Sequence, residues 1–323
     1  ITQHSWMFLS SFEKLRGKLL RMVDIGNMAH LGARAFDEIG GEVVQTTSFV
    51  FRRHRTEHSK GVYCRLIEPT TQQGKEEMFL AGENRYAADQ SNFSKIPGSP
   101  VAYWVSDAFL RIFERGTLLG GLADAKQGVA TADNNQFLRR WNEVNIAKIA
   151  FHAKTHEEAT TLLAKWFPYN KGGEFRKWYG NNEFVVNWEH DGAKLKNFKG
   201  AVLRNLSYYF KECFSWSLIS SNIAAFRYKP IGQIFDVAGM SCFAQKDKLK
   251  YLLALCNSKV VMRMLEVIAP TINYQCGDIA NIPVVLIDDK YDIDAMTENS
   301  IDISRIDWDS YETSWDFKKH PLI

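Results

Sequence analysis

The loop that follows Gly128 carries residue types that contact nucleic acids. Residues 128–137 read Gly-Val-Ala-Thr-Ala-Asp-Asn-Asn-Gln-Phe, and Arg139 and Arg140 follow. A tight turn of this composition directs backbone N–H groups and short polar side chains toward an anion or a base edge, and the arginines reach phosphate. The predicted DNA contacts are Thr131, Asn134, Asn135, Arg139 and Arg140. The pattern alone favours the alternative, a helix-capping turn with Asp133 as N-cap.

A second candidate, which we call the aromatic-basic block, covers residues 165–182. It interleaves six aromatic residues with four lysines and arginines around Gly172 and Gly173. Rings can stack on bases while cations hold phosphates, although some of these rings are expected to pack in the core. The predicted DNA contacts here are Lys171, Arg176, Lys177, Trp178, Tyr179 and Asn181.

A basic run follows the block. Residues 192–211 hold five lysines and arginines and no acidic residue, and Lys194, Lys196 and Arg204 are further predicted DNA contacts. Residues 1–250 hold 34 Lys/Arg against 25 Asp/Glu, whereas residues 251–323 hold 6 against 12. A basic body with an acidic tail indicates a polyanionic partner, and together with the block it favours double-stranded DNA.

His152 and His156 are spaced as a pair on the helix that the sequence predicts over Ala147–Trp166. The spacing lacks the glutamate of HExxH and a cysteine partner, so we interpret the pair as a solvated helix face and predict no metal. The sequence also contains no Gly-x-Ser-x-Gly elbow, P-loop or GxGxxG motif. No catalytic residue is predicted in this chain.

The composition is that of a folded protein with about two domains. The 323 residues are 46% hydrophobic and 24% charged, and no apolar run has the roughly 20 residues needed to cross a bilayer. Five scattered cysteines favour the reducing cytoplasm over a disulfide framework. The chain begins at Ile1 rather than Met, so we expect a piece of a longer protein.

The elements that position these motifs indicate a mixed α/β fold. The opening reads as a strand end at Ile1–Thr2, a helix from Phe12 to Met22, and two strands near Ala29–Leu31 and Glu42–Phe51. This pattern is typical of the closing hairpin of an α/β sheet. We expect that residues 1–53 do not fold alone. They are expected to pack against the DNA-binding domain that follows them in the chain or against a second copy.

Later elements and the boundaries between domains follow from periodicity and loops. Apolar residues at helical spacing predict a helix over Lys248–Ile268, and Ile96-Pro97-Gly98-Ser99-Pro100 predicts a loop. The predicted domains are residues 1–55 as the remnant of a catalytic domain, 56–100 as a connector, 101–287 as a DNA-binding domain, and 288–323 as an acidic linker.

Taken together, the segments resemble the C-terminal part of adenine-N6 DNA methyltransferases of the type IIG-like class, most closely those of BREX phage-defence systems. Residues 1–53 resemble the segment that closes the Rossmann-like methyltransferase sheet. Gly128–Val144 and Lys165–Asn187 resemble blocks of the target recognition domain. Asn273–Val285 resembles its closing segment, and Ile303–Ile323 a linker toward a helical region that the chain lacks.

The resemblance implies that the parent protein transfers a methyl group from S-adenosylmethionine to the N6 of a flipped adenine, and that this chain supplies sequence recognition. The chain has no Pro-Pro pair and no Gly-rich loop, so no catalytic or cofactor-binding residue carries over, and at Ala132 the wider class often has Gly. Other phage-defence subunits are implied as further partners. The alternative is a stand-alone specificity subunit that recruits a separate methyltransferase, against which the sheet-closing segment argues.

Overall fold

The structure is a computed structural model that describes residues 1–39, 44–220, 223–287 and 291–323. It confirms the mixed α/β class, because helices and several mixed sheets are distributed along the chain. The chain divides into two compact units. The first comprises residues 1–116 and 267–270, and the second comprises residues 117–266 and 271–323.

The first unit is built on one five-stranded sheet with strand order β1-β3-β2-β4-β5. Only the β2–β4 pair is parallel among these strands; the other three pairs are antiparallel. The elements of this unit are β1 (Thr2–Gln3), α1 (Glu13–Met22), β2 (Asp24–Gly32), β3 (Thr46–Arg52), β4 (Lys60–Arg65), α2 (Gln72–Ala81), β5 (Arg85–Asp89) and α3 (Asp107–Arg115).

The core of the first unit lies on one face of this sheet. Met28 of β2 and Tyr63 of β4 pack with Met7 and Tyr103, all nearly inaccessible to solvent. Helix α1 contributes Leu19 and Leu20 to the edge of this cluster. Its Arg16 is also buried and donates to four backbone carbonyls, which replace the water that a buried cation loses.

The order of strand end, helix, strand and strand in the first 53 residues is confirmed by β1, α1, β2 and β3. Helix α1 ends at Met22, and Gly26 lies inside β2 rather than at the helix end. Residues 42 and 43 of the predicted strand lie outside the described residues, residues 44 and 45 precede the strand, and β3 covers residues 46–51 and continues to Arg52. As expected, these strands do not pair among themselves alone: the sheet is extended by β4 and β5 from residues 60–89, which lie before the predicted DNA-binding domain.

The second unit holds two four-stranded sheets, with orders β13-β9-β10-β8 and β12-β11-β14-β7, and a two-stranded pair β15-β6. The strands are β6 (Thr117–Leu118), β7 (Ala123–Lys126), β8 (Leu138–Arg140), β9 (Trp166–Asn170), β10 (Phe184–Asn187), β11 (Cys213–Trp216), β12 (Phe226–Lys229), β13 (Ile234–Phe235), β14 (Ser241–Ala244) and β15 (Pro283–Val284). Strands β13 and β9 are parallel and the other pairs in these sheets antiparallel.

The helices of the second unit are α4 (Asn134–Phe137), α5 (His156–Thr161), α6 (Glu189–Lys196), α7 (Lys246–Asn257), α8 (Lys259–Ile268, whose last two residues belong to the first unit), α9 (Cys276–Ala280) and α10 (Tyr291–Asp309). Aromatic side chains dominate the largest core cluster here, in which Phe167, Trp188 and Phe210 are fully buried. The block and the Gly128 loop both border this cluster, which therefore fixes their backbone.

Two helix predictions differ from the structure, and the segment predicted as an acidic linker contains a helix. The helix predicted over Ala147–Trp166 is wrong: α5 spans only His156–Thr161, because Thr155 caps a new helix and Trp166 already begins β9. The helix predicted over Lys248–Ile268 is two helices that break at Ser258. The acidic segment after residue 290 contains α10, which packs on α7, and Lys250 forms an ion pair with Glu298.

The predicted domain limits remain predictions. Residues 56–100 contain β4, α2 and β5, and these belong to the first compact unit. The second unit begins at Thr117 and includes the described part of the acidic segment. The functional roles assigned to these spans rest on the sequence resemblance.

Candidate nucleic-acid interface

The Gly128 loop is fixed by a close approach of two backbones. Val129 donates its N–H to the Phe235 carbonyl at 2.8 Å, and a Cβ on Gly128 would lie 1.7 Å from that same oxygen. Val237 in turn donates to the Val129 carbonyl at 2.9 Å. Residue 128 must therefore be glycine for the loop to dock on β13.

Beyond this anchor the chain makes a strained turn into α4. Ala132 adopts a φ of 61°, in the left-handed region that favours glycine. The Thr131 hydroxyl donates to the Asn134 side-chain oxygen at 2.6 Å, and the Asp133 carboxylate accepts from the Gln136 N–H at 3.0 Å. The helix-capping interpretation of Asp133 is confirmed. The cap leaves the Asn135 side chain exposed, without a hydrogen bond to any described residue.

The structure places this loop beside the basic run. Ala130 and Val202 exchange two backbone hydrogen bonds of 2.8 and 2.9 Å. A Cβ on Gly200 would lie 3.4 Å from the Cβ of Ala132, and the ring centroids of Phe137 and Phe198 are 5.0 Å apart. Two segments that are about 65 residues apart in sequence thus form one patch. We call residues 131–135 and 194–205 the basic loop surface.

The cations of the basic loop surface are largely unneutralised. Lys194, Lys199 and Arg204 form no ion pair with any residue in the described ranges, and both lysines are exposed. The Lys194 ammonium lies 6.0 Å from the centre of the Phe137 ring, at the outer limit of a cation–π contact. Lys196 differs, since its ammonium is 2.6 Å from the Asp191 carboxylate. Two exposed lysines and the half-buried Arg204 therefore carry positive charges that no described acid neutralises.

The two arginines after the loop make internal contacts. Arg139 donates from Nη1 to the backbone carbonyls of Asn135 and Leu138, each at 2.5 Å. The Arg140 guanidinium lies 3.8 Å from the Glu183 carboxylate and remains exposed. Arg139 therefore braces the end of α4, whereas Arg140 is available to a ligand at the margin of the surface.

Sequence reasoning missed Lys126 and Lys211 at the edge of this surface. Each ammonium lies 5.3 Å from the centre of the Tyr208 ring. A hydrogen bond from Lys126 to Asp124 raises the Lys126 pKa and keeps the ammonium charged. Asn205 links the region to the loop by donating to the Gln127 carbonyl at 2.8 Å. Their signal was visible, because Lys126 directly precedes the loop and Lys211 ends the basic run.

The cations of the aromatic-basic block are engaged within the protein. Lys171 lies 2.7 Å from the Asp236 carboxylate, which is 1% exposed. Arg176 pairs with Asp307 of α10 at 2.9 Å and lies 5.0 Å from the centre of the Trp308 ring. Lys177 donates to the Asn257 carbonyl at 3.0 Å. All three side chains thus have an internal acceptor.

The polar and aromatic candidates of the block are also held in place. Tyr179 is 5% exposed, and burial together with the nearby Asp309 and Asp316 raises its pKa to about 12. Trp178 is half-buried and exchanges backbone hydrogen bonds with Phe226 and Tyr228. Asn181 donates to the Glu174 carbonyl at 2.9 Å. These residues are therefore held by packing and internal hydrogen bonds rather than arranged around an open groove.

Two buried cations on β12, Lys229 and Arg227, donate hydrogen bonds to backbone carbonyls of the block. Lys229 is fully buried and donates to the carbonyls of Gly180 and Asn181 and to the Asn182 side-chain oxygen. Burial lowers the pKa of Lys229 well below its ordinary value. Burial, with a contribution from Arg176, also lowers the pKa of Arg227 to about 10, and its Nη1 donates to the Arg176 carbonyl.

Metal and membrane features are absent from the described residues. No group of three or more His, Cys, Asp or Glu side chains there is arranged to hold a metal ion. His152 lies in a turn before α5, so the predicted histidine pair does not share one helix. No described helix combines the length and the apolar character that a membrane span requires.

The chain is similar to two adenine-specific methyltransferases. The relatives are PglX of Lacticaseibacillus casei (strain Zhang), 40% identical over 338 aligned residues, and BrxX of Escherichia coli O9:H4 (strain HS), 39% identical over 327. Each alignment covers 100% of this chain but only 28% and 26% of the relatives. The chain is therefore homologous along its whole length to about a quarter of these proteins, which confirms the resemblance seen in the sequence. No protein-family model matches.

Two solved structures show weaker likeness. A nuclease-deletion mutant of the type ISP restriction-modification enzyme LlaGI, in complex with a DNA substrate mimic, has a TM-score of 0.48 at 8% identity and covers 93% of this chain and 34% of its own. The type IIG restriction endonuclease BpuSI has a TM-score of 0.37 at 10% identity and covers 94% and 41%. Both scores are too low to carry an argument about this chain.

Proposed function

We propose that this chain recognises double-stranded DNA for site-specific adenine-N6 methylation by a parent protein that uses S-adenosylmethionine, in a phage-defence or restriction-modification system. The homology to PglX and BrxX supports the reaction. The absence of a Pro-Pro pair and a Gly-rich loop in this sequence supports a role in recognition rather than in chemistry. The parent protein would function in the cytoplasm, where its DNA substrate is found.

The observation that carries the DNA-binding proposal is the basic loop surface. Lys194, Lys199 and Arg204 have no acidic partner in the described chain, and they adjoin a loop with a free amide at Asn135. Unpaired cations neutralise phosphates and release counterions, whereas an amide can donate to and accept from a base edge. This combination supplies both affinity and a means of sequence selection.

The aromatic-basic block serves this surface as a scaffold. Its cations neutralise Asp236 and Asp307 and bind backbone carbonyls, so DNA would have to displace internal partners to reach them. Of the predicted contacts, we therefore assign the loop and the residues from 194 to 205 to DNA, and Lys171, Arg176, Lys177, Trp178, Tyr179 and Asn181 to the support of the fold.

The test replaces Lys194, Lys199 and Arg204 with Ala and measures duplex-DNA affinity over a range of salt concentrations. We expect weaker binding and a log–log salt slope that falls by about 0.9 for each lost phosphate contact. A matched variant replaces Lys154, Lys246 and Lys259 with Ala. These lysines are exposed, so the variant removes the same charge elsewhere on the protein. Equal losses in the two variants would reduce the effect to net charge and refute this interface.

The assignment of chemistry to the rest of the parent protein has its own test. We expect calorimetry to detect no one-to-one, micromolar binding of S-adenosylmethionine to this chain. Binding of that strength would place cofactor-holding residues in the 323-residue sequence and would overturn the division of labour.

A further inference from the structure

The imidazole of His156, at the start of α5, lies between two hydrogen-bond acceptors. Its Nδ1 is 2.6 Å from the Asp191 Oδ1 atom, and its Nε2 is 2.9 Å from the backbone oxygen of Leu206. A neutral imidazole has one N–H donor and one bare nitrogen, so it can satisfy only one of two acceptors. Both contacts are hydrogen bonds only if both ring nitrogens carry a proton.

Asp191 is ionised and therefore cannot supply the missing proton. Its carboxylate also accepts from Trp188 Nε1 at 2.9 Å and from Lys196 Nζ at 2.6 Å. Burial raises the pKa of this carboxyl, but the hydrogen bonds from His156, Lys196 and Trp188 outweigh it, so the pKa lies below its ordinary value. The Leu206 carbonyl has no proton to give.

The two acceptors of His156 flank the basic segment of the proposed interface. Asp191 precedes Lys194, and Leu206 follows Arg204. The turn at Asp191 is strained, because His190 and Asp191 both adopt a φ of 53°, which non-glycine residues rarely do. Such a turn persists only when its surroundings hold it, and the His156 ring contacts it directly.

We propose that His156 is a positioning residue that, as an imidazolium, clamps both ends of the segment carrying Lys194, Lys199 and Arg204 and so makes DNA affinity depend on pH. This inference rests on the proposed DNA-binding function. When the ring loses a proton, one of the two clamps is lost, and the lysines and the arginine lose their fixed spacing. The clamp uses a histidine because this residue titrates near neutral pH.

The other charged and titratable groups around the ring are few. Asp191 and Lys196 face it from α6, and Arg204 and Tyr209 lie on the segment beyond. Burial raises the Tyr209 pKa, so its phenol stays neutral. On α5 itself Glu157 and Glu158 are exposed, and the Glu158 carboxylate accepts from the Lys154 N–H at 2.7 Å. Among these groups, His156 is the one whose ordinary titration falls between about pH 5 and 8.

The first measurement is made without DNA and tests the protonation state alone. Two-dimensional nitrogen NMR of the histidine rings at pH 7, assigned with the variant His156→Gln, distinguishes an imidazolium from either neutral tautomer. We expect both His156 ring nitrogens to be protonated, and the exposed His152 ring, which forms no hydrogen bond with a described residue, provides the reference signals. A single neutral tautomer at pH 7 overturns the proposal even if DNA binding is intact.

The second measurement follows the affinity for a nonspecific DNA duplex from about pH 6 to 8.5 at constant salt. We expect the wild-type affinity to fall by at least threefold as pH rises, whereas His156→Gln, which is neutral throughout, should bind weakly with a flat profile. His152→Gln is the matched control and should keep the wild-type profile. A pH dependence that survives in His156→Gln refutes the clamp, whereas no DNA binding by any form refutes the proposed function and leaves the NMR result to decide the protonation state.

Discussion

The aromatic-basic block and the basic loop surface have similar compositions but different roles. In the block, Lys171, Arg176 and Lys177 each contact an acceptor inside the protein. On the surface, Lys194, Lys199 and Arg204 form no ion pair with the described residues. A count of positive charges therefore does not locate a polyanion site, because the site also requires that these charges are not already neutralised within the protein.

The distance between partners in sequence explains why the two regions look alike before folding. Asp236 is 65 residues from Lys171, and Asp307 is 131 residues from Arg176. Neither acid lies near the block in sequence, so a local window does not show which acid each cation meets. In the basic run, by contrast, Lys196 meets Asp191 five residues away, and Lys194, Lys199 and Arg204 form no ion pair with a described residue.

The largest effect we expect is the loss of the acid inside the block. Asp236 is 1% exposed and accepts at 2.7 Å from each of Lys171, the Tyr169 hydroxyl and the Ala238 N–H. Asp236→Ala leaves these donors without an acceptor and should lower the free energy of unfolding by about 3–5 kcal/mol. Urea denaturation measures the change.

The control for that variant is an exposed acid of the other region. Asp124 pairs with Lys126 at 2.9 Å but is 54% exposed, so Asp124→Ala should cost less than about 1 kcal/mol. Similar losses in the two variants would contradict the difference between a neutralised scaffold and an open surface.

The next effect separates the two regions by DNA affinity. The variant with Lys171, Arg176 and Lys177 replaced by Ala should lose stability, because Asp236 becomes a buried charge without its cation, but it should keep the DNA salt slope. Binding curves at several salt concentrations provide the measurement. A slope reduced by about 0.9 per residue, as expected for Lys194, Lys199 and Arg204, would instead return the interface to the block.

The pH dependence of stability distinguishes Asp191, which lies next to the basic loop surface, from Lys229, which contacts the aromatic-basic block. The Asp191 pKa lies below the ordinary value of 3.8, so its ionised form stabilises the fold above that value and the stabilisation is lost as pH falls through the folded pKa. The Lys229 pKa lies below its ordinary 10.5, so the unfolded chain binds more protons and stability rises with pH toward that value.

Variants that cannot titrate test these two pH windows. The stability difference between wild type and Asp191→Asn should shrink as the pH is lowered below about 4. The difference between wild type and Lys229→Met should move in favour of wild type as the pH rises toward about 10. Both differences therefore grow with pH, one in the acidic and one in the basic range. Urea midpoints across the pH range provide both, and a difference that falls as the pH rises in either range would disprove the assignment for that residue.

The sequence predicted local elements better than long-range pairing. The α1 helix and the two strands after it are visible in apolar spacing and β-branched runs, and the capping role of Asp133 is visible in its own turn. The helix over 147–166 was wrong because apolar residues there face a core assembled by other strands rather than one helix face. The neighbours of the Gly128 loop, Val202 and Phe235, are distant in sequence, so their contacts could not be read from local pattern.

The smallest effect concerns Ala132, at the tip of the loop that faces the proposed ligand. Its φ of 61° costs a residue with a Cβ about 1–2 kcal/mol, and glycine avoids that cost while adding about 0.5–1 kcal/mol of backbone entropy to the unfolded chain. Ala132→Gly should therefore raise the free energy of unfolding by up to about 1 kcal/mol. Ala295→Gly, at an exposed position inside α10, is the matched control and should lower it by about 0.5–1 kcal/mol. Because the Ala132 methyl is exposed, its removal also lets a phosphate backbone approach more closely, so DNA affinity should hold or rise. Equal destabilisation by both glycines would mean that residue 132 is not left-handed in solution and that the loop does not present Asn135 as described.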